Sequence, residues 1–90
     1  MSRRHLTIVV EGLVQGVNYR QAARREADRL GITGFARNEP DGSVLIEAEG
    51  ESDALDRLVE WCWSGPALAR VDRVSVSDGS LVGYDGFVRR

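Results

Sequence analysis

The sequence predicts an α+β sandwich in which two helices cover one face of a mixed, mostly antiparallel sheet. Short runs rich in β-branched residues, bounded by Gly, Pro and Asp, predict the strands. Two longer segments carry apolar residues at helical spacing. The elements follow in the order strand, helix, strand, strand, helix, strand, which is that of a split β-α-β unit with right-handed crossovers.

The first strand and the first helix have clear periodicities. A strand is predicted over residues 5–11, because Leu6, Ile8 and Val10 alternate with more polar residues and so share the core face. A helix is predicted over Tyr19–Leu30. Its apolar side is formed by Tyr19, Ala22, Ala23, Ala27 and Leu30.

A hairpin is predicted next, with strands over residues 32–38 and 43–49 joined by the turn residues 39–42. Gly34 lies inside the first of these strands, where we expect another part of the backbone to approach closely. Glu47 and Glu49 point away from the apolar residues of the second strand. Together with Glu51 they predict a solvated edge.

The second half of the chain is predicted to supply a helix capped by Ser52 and ended at residues 64–66. The fourth strand is predicted over residues 71–77, with Val74 and Val76 facing inward, and a turn over 78–80. A short last strand is predicted over 83–89. The full order predicts a ferredoxin-like βαββαβ sandwich, formed as a single domain over residues 1–90.

Composition excludes several classes of mechanism and partner. All 12 basic residues are arginine, so mechanisms that need a lysine nucleophile, Schiff base or phosphate-loop lysine are excluded. The net charge of −2 is too small to predict a nucleic-acid or membrane partner. The single cysteine, Cys62, cannot form an internal disulfide, which favours a reducing compartment, and we expect a cytoplasmic protein. One histidine and one cysteine cannot build an ordinary transition-metal site.

Residues 12–20, of sequence GLVQGVNYR, form the most informative stretch of the chain. They predict a glycine loop between a strand and a helix, where successive main-chain N–H groups can converge on an anion. Gly16 has no Cβ to hold a ligand away from the backbone. Arg20 adds a charged, forked donor that suits phosphate. The stretch therefore predicts a site for an anion of phosphate size.

Two signatures make the sequence similar to the acylphosphatase family over nearly its whole length. The first is residues 12–20, against the family pattern G-x-V-Q-G-V-x-F-R. The second is residues 34–38, of sequence GFARN, followed by Gly42-Ser43-Val44 and by Gly50. Tyr19 replaces the usual phenylalanine, Asn18 stands where a small residue is common, and Leu13 stands where an arginine is frequent. The change at Asn18 bears on the packing of the loop, and so on rate more than on activity itself.

The resemblance implies hydrolysis of acyl phosphates to carboxylate and inorganic phosphate without a metal or other cofactor. We expect the protein to be a monomer. The resemblance also implies that Arg20 binds the phosphoryl oxygens and that Asn38 holds the attacking water. The main-chain N–H groups that would share the phosphoryl group belong to Gln15, Gly16, Val17, Asn18 and Tyr19. Two alternatives stay open: a related domain that binds phosphate without turnover, and a regulator or RNA binder of the same fold.

Overall fold

Five strands and two helices lie along residues 2–90, the part of the chain that the computed structural model describes. Among these residues, no helix is long and apolar enough to cross a membrane. The elements are β1 (Arg3–Leu13), α1 (Tyr19–Leu30), β2 (Thr33–Asn38), β3 (Val44–Glu51), α2 (Ser52–Ser64), β4 (Arg70–Gly79) and β5 (Phe87–Arg89).

The strands form one sheet in the order β4-β1-β3-β2-β5. β1 pairs antiparallel with both β3 and β4, and β2 pairs antiparallel with β3. Only the pairing of β2 with β5 is parallel within the described residues. The two helices pack on one face of this mixed sheet, so the predicted ferredoxin-like architecture is confirmed.

The core lies between the helices and the sheet. Ile8, Val10 and Ile46 are fully buried on the sheet side, as their alternation along the strands predicts. Leu55 and Leu58 are fully buried on the side of α2. The helix α1 begins and ends where the sequence predicts. This agreement shows that local periodicity and the glycine after Leu30 are sufficient to define it.

Gly34 confirms the predicted close approach of two strands. A Cβ atom added to Gly34 would lie 1.8 Å from the carbonyl oxygen of Glu47 on β3. Such a distance is far inside van der Waals contact, so only glycine fits between β2 and β3 here. Gly34 therefore keeps β2 in register, and β2 carries Asn38 at its far end.

The strand ends differ from the prediction in the first and last strands. β1 continues past residue 11 to Leu13, and its pairing with β4 shifts in register between Glu11 and Gly12. β5 begins only at Phe87, because residues 80–86 leave the sheet. The predicted turn at 78–80 was placed too early, since β4 runs to Gly79. Val76, predicted to face inward, is 45% exposed because β4 is an edge strand.

Two side-chain predictions were wrong. Ser52 does not cap α2: Glu51 is the N-cap residue, without a side-chain cap hydrogen bond. The Ser52 Oγ instead accepts a hydrogen bond from Arg4 Nη1 at 3.0 Å. Glu49, predicted to be solvated, has no exposed side-chain surface, because residues 80–86 cover this part of the sheet.

Candidate active site

The glycine loop, residues 14–18, joins β1 to α1 and is tied to the turn between β2 and β3. Gln15 makes this connection, because its Nε2 donates to the main-chain oxygens of Glu39 at 2.8 Å and Ser43 at 2.9 Å. The buried Val14 side chain holds the other end of the loop in the core. The Gln15 side chain is thus a brace, and the predicted phosphate contact falls to its main-chain N–H.

Two left-handed residues shape the loop. Gly16 has a φ of 75°, and Asn18, the N-cap residue of α1, has a φ of 69°. Asn18 makes no side-chain cap hydrogen bond. The N–H groups of the first helical turn have no partner within the helix, so this end of α1 favours an anion. A Cβ added to Gly16 would meet no atom within 4 Å, so the space beside this backbone is open.

Arg20 and Asn38 come from different elements and line the same small cavity. This cavity has a volume of about 100 Å³. Arg20 is the second residue of α1 and is partly exposed. Its Nη1 donates to the main-chain oxygen of Arg90. That contact directs the guanidinium toward the end of β5. Gly16 and Asn18 line the cavity beside these two side chains.

Asn38 is the last residue of β2, and its Oδ1 is buried without a hydrogen-bond partner in the part of the chain that the structure describes. The neighbouring turn is closed by other groups. The N–H of Gly42 donates to the carbonyl of Glu39, and the N–H of Ser43 donates to Asp41 Oδ1. The Asn38 carboxamide is therefore not needed to cap this turn.

The side chain of Tyr19 lies in the core and takes no part in the chemistry proposed for the cavity. It is 1% exposed, its ring lies 5.3 Å from that of Trp61, and its hydroxyl donates to the carbonyl of Cys62 at 2.7 Å. Burial raises the pKa of the Tyr19 phenol above its ordinary value. Burial likewise raises the pKa of the Cys62 thiol to about 12, and this cysteine is a buried residue of the core.

The structure brings most of the predicted site residues together and adds one that sequence reasoning missed. Gly16, Asn18, Tyr19, Arg20 and Asn38 line the cavity, whereas Gln15 and Val17 adjoin it along the chain. Arg89 lines the cavity as well. Its position depends on the parallel pairing of β5 with β2, which no local pattern in the sequence indicates.

A larger open depression of about 760 Å³ lies on the other side of the loop, beside Gly12, Leu13, Trp63 and Arg70. It contains neither Arg20 nor Asn38. Its charged residues pair with one another, as Arg70 does with Asp72. Size alone therefore does not identify the candidate active site. The smaller cavity is the better candidate because Gly16, Arg20 and Asn38 all line it. Among residues 2–90, no group of three or more His, Cys, Asp or Glu side chains is arranged to hold a metal ion.

Comparison with known proteins shows which family this chain resembles in sequence and in structure. The model of the Acylphosphatase family matches residues 6–88. An acylphosphatase of a Nocardioides species is 48% identical over 85 residues, which is 94% of this chain and 86% of the relative. The acylphosphatase of Thiobacillus denitrificans is 47% identical over 85 residues, covering 94% of both chains.

Solved structures agree with the sequence comparison. The acylphosphatase of Coxiella burnetii superposes with a TM-score of 0.95 at 35% identity, covering 98% of this chain and 93% of its own. The Bacillus subtilis acylphosphatase gives a TM-score of 0.94 at 36% identity, covering 97% of this chain and 98% of its own. This chain therefore belongs to the acylphosphatase family and is a hydrolase of acyl phosphates.

Proposed function

We propose that this chain hydrolyses the carboxyl-phosphate bond without a metal or other cofactor, as a single domain over residues 1–90, with Arg20 and Asn38 as its catalytic residues. The observation that carries the proposal is that these two side chains line one cavity with Gly16 of the loop. A cationic group and a neutral, water-binding group are thus within reach of the same small molecule.

The phosphoryl group is held by the guanidinium of Arg20 and by main-chain donors. A guanidinium carries five N–H donors, so the contact from Arg20 to the main-chain oxygen of Arg90 leaves a fork that can bind two phosphoryl oxygens. The main-chain donors belong to Gln15, Gly16, Val17, Asn18 and Tyr19. Their left-handed turns and the start of α1 favour an anion at this point.

The attacking water is oriented by Asn38. Its buried Oδ1 is an acceptor without a donor among the described residues, and a water O–H can supply that donor. The amide is neutral, so it orients the water without removing its proton. No general base is then required, because the substrate's own phosphoryl oxygens can accept the proton.

The reaction is a displacement at phosphorus. The water oxygen forms a bond to phosphorus while the bond between phosphorus and the carboxyl oxygen breaks, and the departing carboxylate keeps the bonding electrons. One water proton stays on the new hydroxyl group and the other moves to a phosphoryl oxygen, which gives inorganic phosphate. Because the carboxylate leaves readily, positioning and charge stabilisation supply most of the catalysis.

The direct test is phosphate release from benzoyl phosphate by the purified chain in excess EDTA. We expect turnover that the chelator does not change, with inorganic phosphate as a competitive inhibitor. Turnover that disappears with EDTA and returns with a divalent cation would contradict the metal-free mechanism. Phosphate binding detected by calorimetry without any turnover would instead support a binding domain.

We also propose that the enzyme is a cytoplasmic monomer whose partners are a small acyl phosphate and inorganic phosphate, with no nucleic-acid or membrane partner. The small net charge of −2 supports this, as does the single buried cysteine, which fits a reducing compartment. Light scattering of the purified protein should give a mass near the 9.9 kDa of one chain.

A further inference from the structure

Residues 80–86 cross the sheet from one edge to the other. They connect β4, at the first edge, to β5, at the last. Neighbouring strands lie about 4.8 Å apart, so the chain travels about 19 Å between Gly79 and Phe87. The extended reach of this stretch is about 27 Å, which leaves little slack. The position of β5 therefore depends on the path of residues 80–86.

This crossing segment covers the face of the sheet without helices, where the buried carboxylate of Glu49 holds it. The two oxygens of Glu49 accept hydrogen bonds from the N–H groups of Val82 at 2.5 Å and Gly83 at 2.9 Å. The Glu49 side chain has no exposed surface. A buried carboxylate bound by two main-chain donors is a strong and geometrically defined attachment.

His5 completes the attachment from the opposite strand. Its Nδ1 lies 2.7 Å from Glu49 Oε2 and its Nε2 lies 2.6 Å from Glu47 Oε1. A histidine can donate through both nitrogens only when it is protonated, so a carboxylate on each side of the ring favours the cationic form. Tyr84 of the crossing segment packs over this ring, with the ring centroids 6.1 Å apart.

Beyond the crossing segment, β5 enters the active site. β5 has three residues and one neighbouring strand, so it has few hydrogen bonds of its own to hold it. Arg89 of β5 lines the cavity that contains Arg20. The next residue, Arg90, accepts a hydrogen bond from Arg20 through its main-chain oxygen and donates its N–H to the carbonyl of Ala36.

We propose that Glu49 is a positioning residue for phosphate binding: it fixes the crossing segment, and through it holds Arg89 and the main-chain oxygen of Arg90 beside Arg20. The inference rests on the proposed function, since it assumes that the cavity at Arg20 binds the phosphoryl group. Arg89 brings a second positive charge to that cavity. Arg90 sets the direction in which the Arg20 guanidinium points.

The test compares Glu49→Gln with Glu47→Gln as its matched control. Glu47 lies on the same strand and also contacts His5, but its hydrogen bonds do not reach the crossing segment. For Glu49→Gln we expect the inhibition constant of inorganic phosphate and the KM for benzoyl phosphate to rise about fivefold. For Glu47→Gln we expect both constants to stay within about twofold of those of the unmodified chain.

A double mutant separates positioning from general destabilisation. If Glu49 acts through β5, Glu49→Gln combined with Arg89→Ala should weaken phosphate binding by clearly less than the sum of the two single losses, because the part that acts through Arg89 is already gone. Unchanged phosphate binding in a folded Glu49→Gln variant, or losses that add fully in the double mutant, would overturn the proposal.

A variant that leaves Glu49 in place covers the case in which Glu49→Gln does not fold. Val82→Pro removes one of the two N–H donors to Glu49. A folded Val82→Pro chain with unchanged phosphate binding would also overturn the proposal. Turnover of benzoyl phosphate by the unmodified chain is measured in the same series, so failure of the proposed function is seen separately from failure of this inference.

Discussion

The guanidinium of Arg20 stands where three favourable features meet: the start of α1, the left-handed turns of the loop and the end of β5. Other arginines of α1 lack this setting. Arg24 is 48% exposed and lies 3.8 Å from the carboxylate of Asp28 on the same helix. Position, more than charge, distinguishes Arg20 as the proposed phosphate ligand, and Arg24 supplies the matched control for a first prediction.

Arg20→Ala should lower kcat/KM for benzoyl phosphate by about 10²-fold or more, because it removes a charge-assisted fork from the transition state. Inhibition by inorganic phosphate should weaken in parallel. Arg24→Ala removes the same charge from the same helix and should leave both constants near their original values. Equal losses in the two variants would mean that general electrostatic attraction, and not a specific contact, accounts for phosphate binding.

Asn38 leads to a different prediction, since its Oδ1 has no partner to lose within the described residues. Asn38→Ala should lower kcat about 10²-fold with little change in KM, because it affects the position of the water. The free energy of unfolding should not fall, because the substitution removes a buried acceptor that has no donor, and so it leaves no new unpaired group behind. Urea denaturation and steady-state kinetics on one preparation measure both effects. A loss of stability with unchanged kcat would show that Asn38 is only a structural residue.

Among the elements, the loop and the turn between β2 and β3 act as one unit. Gln15 joins them through its two hydrogen bonds to the main-chain oxygens of Glu39 and Ser43. Asn38 precedes this turn directly, so the brace also fixes the distance between the Asn38 amide and the N–H groups of the loop. This gives the Gln15 side chain a physical role in a loop whose proposed phosphate donors are main-chain groups.

Gln15→Ala keeps every main-chain N–H of the loop but removes this brace. We expect kcat/KM to fall about tenfold, because the loop and Asn38 lose their fixed separation. The free energy of unfolding should fall by about 1–3 kcal/mol, because two hydrogen bonds are lost. Each carbonyl oxygen keeps one main-chain donor, from Gly42 to Glu39 and from Glu39 to Ser43. Gln21→Ala, in the first turn of α1, serves as the control for a glutamine near the cavity. Full activity in Gln15→Ala would show that the loop is rigid without the brace.

Elements with strong local signals could be predicted from the sequence, and those set by distant contacts could not. The helix α1 has the predicted ends because its periodicity and its terminal glycine are local. β5 was predicted too long, because its length depends on where the crossing segment rejoins β2. The same is true of the candidate site. Arg20 and Asn38 lie in motifs that the sequence shows, whereas Arg89 reaches the cavity only because β5 pairs with β2.

The burial of Glu49 in the whole molecule also could not be predicted from the local sequence. Its direction away from the helices was predicted correctly, but that face was expected to be solvated, and a segment more than 30 residues later in sequence covers it. A burial pattern along a strand indicates which face a side chain occupies. It does not indicate whether another part of the chain lies over that face.

The buried group of His5, Glu47 and Glu49 also predicts how the stability of the fold depends on pH. Burial alone would raise the pKa of Glu49, but its hydrogen bonds from His5, Val82 and Gly83 outweigh burial and lower that pKa to about 2. For His5, burial favours the neutral ring, whereas the carboxylates of Glu49 and Glu47 outweigh burial and raise its pKa. Tyr84 is the other titratable group packed against this ring.

The signs of the two shifts define a window of maximum stability. A lowered carboxylate pKa adds stability above the ordinary value of about 4.5, and this is lost as the pH falls toward 2. A raised histidine pKa adds stability below the ordinary value of about 6.5, and this is lost as the pH rises through the folded-state value. We therefore expect the free energy of unfolding to be greatest between about pH 4.5 and 6.5 and to decline on both sides.

Urea denaturation between pH 3 and 9, followed by tryptophan fluorescence, measures this profile. The Glu49→Gln variant should lose roughly 2–3 kcal/mol of stability within the window and should show a shallower decline toward acid pH, because the titrating carboxylate is gone. Its alkaline decline should also be shallower, since His5 then lacks one of its two carboxylates. An unchanged pH profile in Glu49→Gln would show that this buried charge group does not control the pH dependence of the fold.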